Sequence, residues 1–455
     1  MSTNSSESNQ SEWLSVYQPP RSIRRWLSVI TIEGALANVF TVLTGGAFLT
    51  GLALWLGAND FQIGLLAAIP FLAQVAQLLS AYLVDKTGYR KAITIWASVI
   101  ARQIWWAMFV LLLVPISWRL QALMAVVSVY GVAIMVATPS WTSWMSDIIP
   151  DEIRGRYFGY RSAAIGLTTL AATIFGGILL DRLRALGRPD IGFAAIIGTA
   201  GLFALVAVVL LGRIPDRPPA EIRIGFNWQR LIAPIKDKTF RHLLRVFFVW
   251  NMAIGLAAPF FAAQMLNNLK MSFTQIAVYT GVFSIVAVVL YKPWGELIDR
   301  FGSKPVIVFC AFGLAVVPLI WLIPRQGYLW ILWFEAVYSG ALWAGFNLGT
   351  FNIPIANSPK EGRTIYIAMF SLVTGLGFFT ASIMGGALSQ NWSHFHWQIG
   401  QQTIVNYHLL FALSGGLRFL AALLILTFRE PVEKSLPDMI QFMGYAALKR
   451  LLSGR

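Results

Sequence analysis

Twelve long apolar stretches alternate with short polar connections along the chain. They fall at approximately 28–57, 61–84, 92–115, 120–146, 157–180, 190–212, 242–266, 273–297, 304–323, 328–356, 363–388 and 404–428. An α-helix of roughly 20 residues crosses a hydrocarbon core of about 30 Å, and nearly every stretch reaches that length. Barrel strands are about half as long and alternate polar with apolar positions, so strands do not fit as spans. The pattern predicts an all-α integral membrane protein with twelve transmembrane helices. Glycine within the stretches is expected, because small residues let neighbouring helices approach.

The longest connection divides the stretches six and six. The predicted organisation is an N-terminal tail over 1–26, a six-helix bundle over 27–212, a linker over 213–241, a second six-helix bundle over 242–428 and a C-terminal tail over 429–455. The linker begins Pro- and Arg-rich (Ile214-Pro215-Asp216-Arg217-Pro218-Pro219) and turns amphipathic from Trp228 to Ile235. The final tail from Leu436 to Leu452 is patterned similarly, and both suit the inner membrane surface.

Composition agrees: 57% hydrophobic against 12% charged residues is a ratio that water could not solvate in a chain of 455 residues. A formal charge of +15 would suggest nucleic acid in a soluble protein, but its placement says otherwise. With the N-terminus inside, Lys and Arg in the inner connections outnumber those in the outer ones about fourfold. That bias places both termini in the cytoplasm, in the cell (inner) membrane, and removes nucleic acid as a partner. The single cysteine, Cys310, excludes an internal disulfide and a thiolate metal cluster. His394 and His396 alone make an incomplete metal site, so no metal is expected. No Gly-Lys pair occurs, so the phosphate-cradling loop of ATP-driven machines is absent, and neither cofactor nor enzymatic activity is expected.

The two halves repeat. Asp85-Lys86-Thr87-Gly88-Tyr89-Arg90 is echoed by Asp299-Arg300-Phe301-Gly302-Ser303-Lys304 at an offset of 214. A second match at an offset of 209 pairs Pro150/Pro359, Arg154/Arg363, Tyr157/Tyr366, Gly166/Gly375, Gly176/Gly385 and Gly177/Gly386. In these residues and in its six-plus-six duplication the chain resembles the major facilitator superfamily over 27–428. The family's loop signature between helices 2 and 3 is matched by Leu83, Asp85, Lys86, Gly88, Arg90 and Lys91, and again by Gly295, Leu297, Asp299, Arg300, Gly302 and Lys304. The leading Gly is Ala81 here, Tyr89 follows Gly88, helix 4 lacks a mid-membrane Arg, and helix 5 has Gly176-Gly177 without a Gly-Pro pair. These departures weigh against a drug/proton antiporter.

The resemblance implies a secondary transporter that moves a small solute by alternating access between two pseudo-symmetric bundles. It makes Asp85, Lys86, Gly88, Arg90, Asp299, Arg300, Gly302 and Lys304 a conformational latch, with Asp85 facing the start of helix 11. Since family helices 1, 4, 7 and 10 line the central cavity, the polar stripe Glu335, Ser339, Trp343, Asn347 and Thr350 on helix 10 is expected to line it. Its spacing keeps those residues on one arc of about 120°. Asn38, Thr41, Tyr130 and Asn251 join it from helices 1, 4 and 7.

Charge inside a bilayer costs at least about 2.5–3.5 kcal/mol, so each intramembrane charge needs a role. Glu33 and Glu335 are expected to carry protons. Arg102 and Arg418 either brace the scaffold through carbonyls or bind an anion. Arg161, Arg245 and Lys292 lie about one turn from the inner surface, where their stems are expected to snorkel. The expected partners are lipid, a small-molecule substrate and protons, with the protein monomeric. Two alternatives remain: an exporter of amphipathic or toxic compounds, and a non-transporting sensor or assembly protein on the same scaffold.

Overall fold

The computed structural model describes residues 21–216, 228–359, 362–400, 402–428, 430 and 435–453. Most of the N-terminal tail and linker residues 217–227 lie outside them.

Each half makes six helical passes. In the first half these are α1 (Arg21–Leu43) with α2 (Gly46–Trp55), α3 (Asp60–Leu72) with α4 (Ala76–Thr87), α5 (Arg90–Gln103) with α6 (Trp105–Leu113), then α7 (Arg119–Ile148), α8 (Asp151–Ala185) and α9 (Pro189–Arg213). The amphipathic α10 (Trp228–Lys236) leads into the second half. There α11 (Lys238–Gly255) continues through α12 (Phe260–Ala263) and a π turn over Gln264–Asn268. The rest are α13 (Phe273–Phe301), α14 (Ser303–Ile320), α15 (Trp330–Ala356), α16 (Arg363–Asn391) and α17 (Asn406–Ile425). Helix α18 (Leu436–Ser453) follows on the face that carries both ends of the described chain, called here the terminal face.

Four passes predicted as single helices are broken, the seventh between Gly255 and Phe260, and the first two breaks have local causes. The first breaks at Gly46, whose φ of +51° lies outside the helical region. The second carries Pro70, which cannot donate to the helical ladder, and a 3-10 turn over Ala73–Val75 follows. The third is interrupted only at Ile104, between α5 and α6. Among the described residues ten helices are long and apolar enough to cross a membrane. The interrupted second pass and the tenth, α15, whose apolar window Glu335, Ser339 and Asn347 dilute, complete the twelve.

The outer connection read as a loop after α16 holds a short antiparallel hairpin, β1 (His396–Ile399) with β2 (Gln402–Val405). Its turn uses Gly400 at φ +59°. The repeated loop glycines serve a common purpose. Gly88 (φ +71°) ends α4 and Gly302 (φ +92°) separates α13 from α14, a backbone conformation that other residues rarely adopt.

One apolar core fills the second half around Phe247, Trp250, Phe260, Trp321 and Phe411. Another fills the first half around Phe40, Trp105 and Phe193, and takes in Phe273 from the other half. Leu202, Val206 and Val209 of α9 are exposed, an apolar surface suited to lipid. The halves meet where α3 packs on α16, α8 on α13 and α2 on α12.

Candidate functional site

Between the halves lies a cavity of about 720 Å³, within the size range of small-molecule sites. Thr41, Thr44 and Thr50 of the first pass, Phe71 of α3, Trp105 of α6, and Tyr130 and Met135 of α7 line it from one half. Phe261, Met265, Thr280 and Phe378 line it from the other. The wall is mostly aromatic and apolar, with threonine hydroxyls spaced around it.

On the face opposite the termini the cavity is roofed by two related seams. In the first, Asp60 at the start of α3 reaches across to the second half. Its Oδ2 accepts hydrogen bonds from Ser389 Oγ and Asn406 Nδ2, each at 2.7 Å, and its Oδ1 accepts one from Tyr407 OH at 2.7 Å. In the second, Asp181 in the last turns of α8 caps α13 from the other half. Its two oxygens accept the backbone N–H groups of Phe273 (2.9 Å) and Thr274 (2.8 Å). A carboxylate there meets both unsatisfied N–H groups and the positive end of the helix dipole.

One glycine of each repeated pair, Gly177 and Gly386, sits on these seams. A Cβ at Gly386 would lie 3.0 Å from Asp60 O and Phe61 Cα, and one at Gly177 would lie 3.0 Å from Phe273 C and O. Only a bare backbone lets the helices close to this distance. The ring of Phe71 stacks on Phe378 at 3.9 Å between centroids, carrying the contact to mid-membrane depth.

A smaller cavity of about 240 Å³ lies on the terminal-face side. It is bounded by Glu33, Gly34, Asn38, Ser98, Arg102, Thr138, Trp141 and Arg161, and shares Thr41 and Ile134 with the larger one. Glu33 and Arg102, 2% and 8% exposed, form an ion pair in which both guanidinium Nη atoms reach Oε1 at 3.2 Å. Arg102 is therefore held by a carboxylate rather than by the carbonyls expected of it. Asn38 Nδ2 donates to Thr169 Oγ1 at 2.8 Å and ties α1 to α8.

The predicted cavity residues divide. Thr41 and Tyr130 line the large cavity, and Asn38 and Thr41 the small one. The helix-10 stripe lies elsewhere. Glu335 (1% exposed) and Ser339 (2%) are buried inside the second half, where Glu335 accepts the Tyr279 hydroxyl at 2.5 Å. The reason is packing: α13 and α14 cover that arc of α15. Trp343 packs edge-on to Phe346, Asn347 is exposed, and the buried Thr350 Oγ1 has no hydrogen-bond partner among the described residues. Asn251 Nδ2 donates to Phe247 O of its own helix. Arg418 (2% exposed) donates to Leu314 O at 3.3 Å, with its Nε unpartnered.

At the predicted latch, Arg90 bonds within its own half, to Asp147 (2.5 Å) and Ser143. Arg300 lies over the Phe442 ring of α18, Lys304 N donates to Glu430 Oε2, Asp299 and Lys86 are exposed, and the Asp85 side chain lies outside the described residues. Sequence reasoning did not single out Asp60, Asp181 or the lining rings of Phe71, Trp105, Phe261 and Phe378. A signal for the seams was present: Asn59/Gln62 and Ser272/Gln275 form matching capping boxes 213 residues apart, at the starts of the two helices that the seams hold. Among the described residues no group of three metal-ligating side chains is found.

Residues 34–265 and 246–442 match the family model described as Major Facilitator Superfamily. The chain is 26% identical to the minor myo-inositol transporter IolF of Bacillus subtilis, over 68% of this chain and 72% of that protein. It is also 26% identical to the multi-drug resistance efflux pump PmrA of Streptococcus pneumoniae, over 42% of this chain but only 46% of the pump. The inward open xylose transporter XylE from E. coli superimposes with a TM-score of 0.65 at 15% identity, covering 92% of this chain and 99% of the other.

Proposed function

The chain belongs to the Major Facilitator Superfamily and is a multi-pass membrane transporter, and from that premise we propose that it carries a small organic solute by alternating access, in an arrangement open to the cytoplasm. The observation that carries this reading is the pairing of the 720 Å³ cavity with the two carboxylate seams on the face away from the termini. A cavity walled by both halves and roofed on one face becomes accessible from the other face when the halves rock. The excess of basic residues on the terminal face supports a cytoplasmic position for that face, with both termini inside.

The protein works as a monomer in lipid, because each protomer holds a complete cavity between its own halves. It needs no catalytic group: transport requires only binding, and closure of one seam as the other opens. A gradient drives it, with Glu335, buried beside the Tyr279 hydroxyl, as the proton-carrying carboxylate. Glu33 serves instead as the fixed counter-charge of Arg102.

The chemistry of the cargo follows from the lining. Phe71, Trp105, Phe261 and Phe378 give the cavity an apolar wall, which fits an amphipathic cargo better than a polyol and favours the exporter reading. Proteoliposomes holding the purified protein should take up aromatic compounds down their own gradients faster than empty liposomes. Equal rates in both, across apolar and polyhydroxylated panels alike, would contradict carriage.

A further inference from the structure

We propose that Arg161 is the anion-recognising residue of the transport path, and that the cargo is a small organic monoanion with an apolar body and one carboxylate. The proposal rests on the cavity reading above and adds the chemistry of what the cavity holds.

Three observations single out Arg161. Its guanidinium lies over the Trp141 ring at 4.8 Å and against the backbone of α1 at Gly34, where any Cβ would collide with it. An arginine that merely snorkels extends its head to the membrane surface; this one turns into the protein, onto a site that the absence of a side chain keeps open. Its Nε is buried and has no hydrogen-bond partner among the described residues. Arg102, in the same pocket, has its counter-ion in Glu33. The pocket thus holds two guanidinium groups and one carboxylate, and Asn38, Ser98 and Thr138 add no charge. Among the described residues one positive charge of this pocket is left without a counter-ion, and it belongs to Arg161.

A half-buried guanidinium without a counter-ion binds a carboxylate through charge-assisted hydrogen bonds, stronger here than in water because the surroundings are poorly polarisable. The small pocket meets the large cavity at Thr41 and Ile134. A ligand whose carboxylate sits on Arg161 therefore directs its body toward Trp105, Tyr130 and Phe378. The two chambers together read an amphipathic anion: one end by charge, the other by apolar contact.

The test is equilibrium binding of 2-naphthoate and of its neutral isostere 2-naphthamide to the full chain in phosphatidylcholine nanodiscs, where no anionic lipid headgroup competes. The unmodified protein should bind the carboxylate roughly tenfold tighter than the amide. Arg161→Gln should bring naphthoate down to the amide's affinity and leave the amide unchanged, whereas Arg161→Lys should keep part of the preference. Tyr130→Ala should weaken both compounds by a similar factor. A preference that survives Arg161→Gln overturns the proposal, as does its absence from the unmodified protein. Equal loss of both compounds in Arg161→Gln overturns it too, by making the side chain a packing element. Binding of neither compound overturns the organic-monoanion class. Unchanged binding of both in Tyr130→Ala contradicts the cavity reading instead, so the two failures are distinguishable.

Discussion

Glu33 of α1 and Arg102 of α5 meet at 3.2 Å in the interior of the first half, 69 residues apart in sequence. Each group alone would be a buried charge in a lipid-embedded bundle; together they neutralise one another. Removing one partner of such a pair typically costs about 3–5 kcal/mol, because the remaining charge is left uncompensated. Glu33→Gln and Arg102→Gln should each lower the thermal unfolding midpoint sharply. The double variant Glu33→Leu/Arg102→Met should recover most of the loss. If Glu33→Gln is as stable as the unmodified protein, the pair does not brace the fold.

Asp181 offers one carboxylate to two backbone N–H groups of the opposite half, at Phe273 and Thr274. In Asp181→Asn the amide keeps one acceptor and loses the charge that favours a helix N-terminus. The change is worth about 1 kcal/mol, so the far-face opening should gain about fivefold in population. The intact seam at Asp60 should hold the remainder. A cysteine in place of Thr50, which lines the cavity, reports this through its labelling rate from the outer side. No change in that rate would remove Asp181 from the seal.

The Gly177 and Gly386 contacts act through volume rather than charge. Gly177→Val would place branched carbon where the nearest atoms of Phe273 lie 3.0 Å from a bare Cβ position. Overpacking of this kind costs about 1–3 kcal/mol. Because the clash exists only while the seam is shut, the variant should unfold at nearly the usual temperature and label faster at Thr50→Cys from outside. A large drop in unfolding temperature with no change in labelling would place Gly177 in the static core.

Glu335 is reached by the Tyr279 hydroxyl, and in the same half Arg418 has a guanidinium nitrogen without a partner among the described residues. Glu335→Gln keeps the shape and removes the proton carried. It should abolish accumulation driven by a pH gradient while substrate exchange between equal concentrations continues. Undiminished pH-driven accumulation would take Glu335 out of the coupling.

Much of this architecture is legible in the linear pattern, because a membrane span must be both long and apolar, and a duplication leaves matched residues at a fixed offset. Gly176-Gly177 and Gly385-Gly386 are visible as a repeated pair. That Gly177 and Gly386 bear the seams is not, since it depends on which helix of the other half arrives there. The helix-10 stripe illustrates the same limit. Periodicity places Glu335, Ser339 and Asn347 on one arc, but a polar arc is satisfied equally by water or by protein, and the packing of α13 and α14 buries this one at Glu335 and Ser339. Depth alone makes Arg161 a snorkelling side chain. Only the space above Gly34, far away in sequence, shows where its head turns.

Site-directed labelling at Thr41 tests alternating access most directly. Thr41 borders both cavities, and the native thiol, Cys310, is buried and leaves a silent background. In Thr41→Cys, a membrane-impermeant maleimide should react rapidly when supplied from the cytoplasmic face of sealed vesicles and slowly from the outer face. Adding Asp181→Asn should raise the outer rate. Equal labelling from the two faces in the unmodified background, or none from either, would contradict a carrier closed by the Asp60 and Asp181 seams.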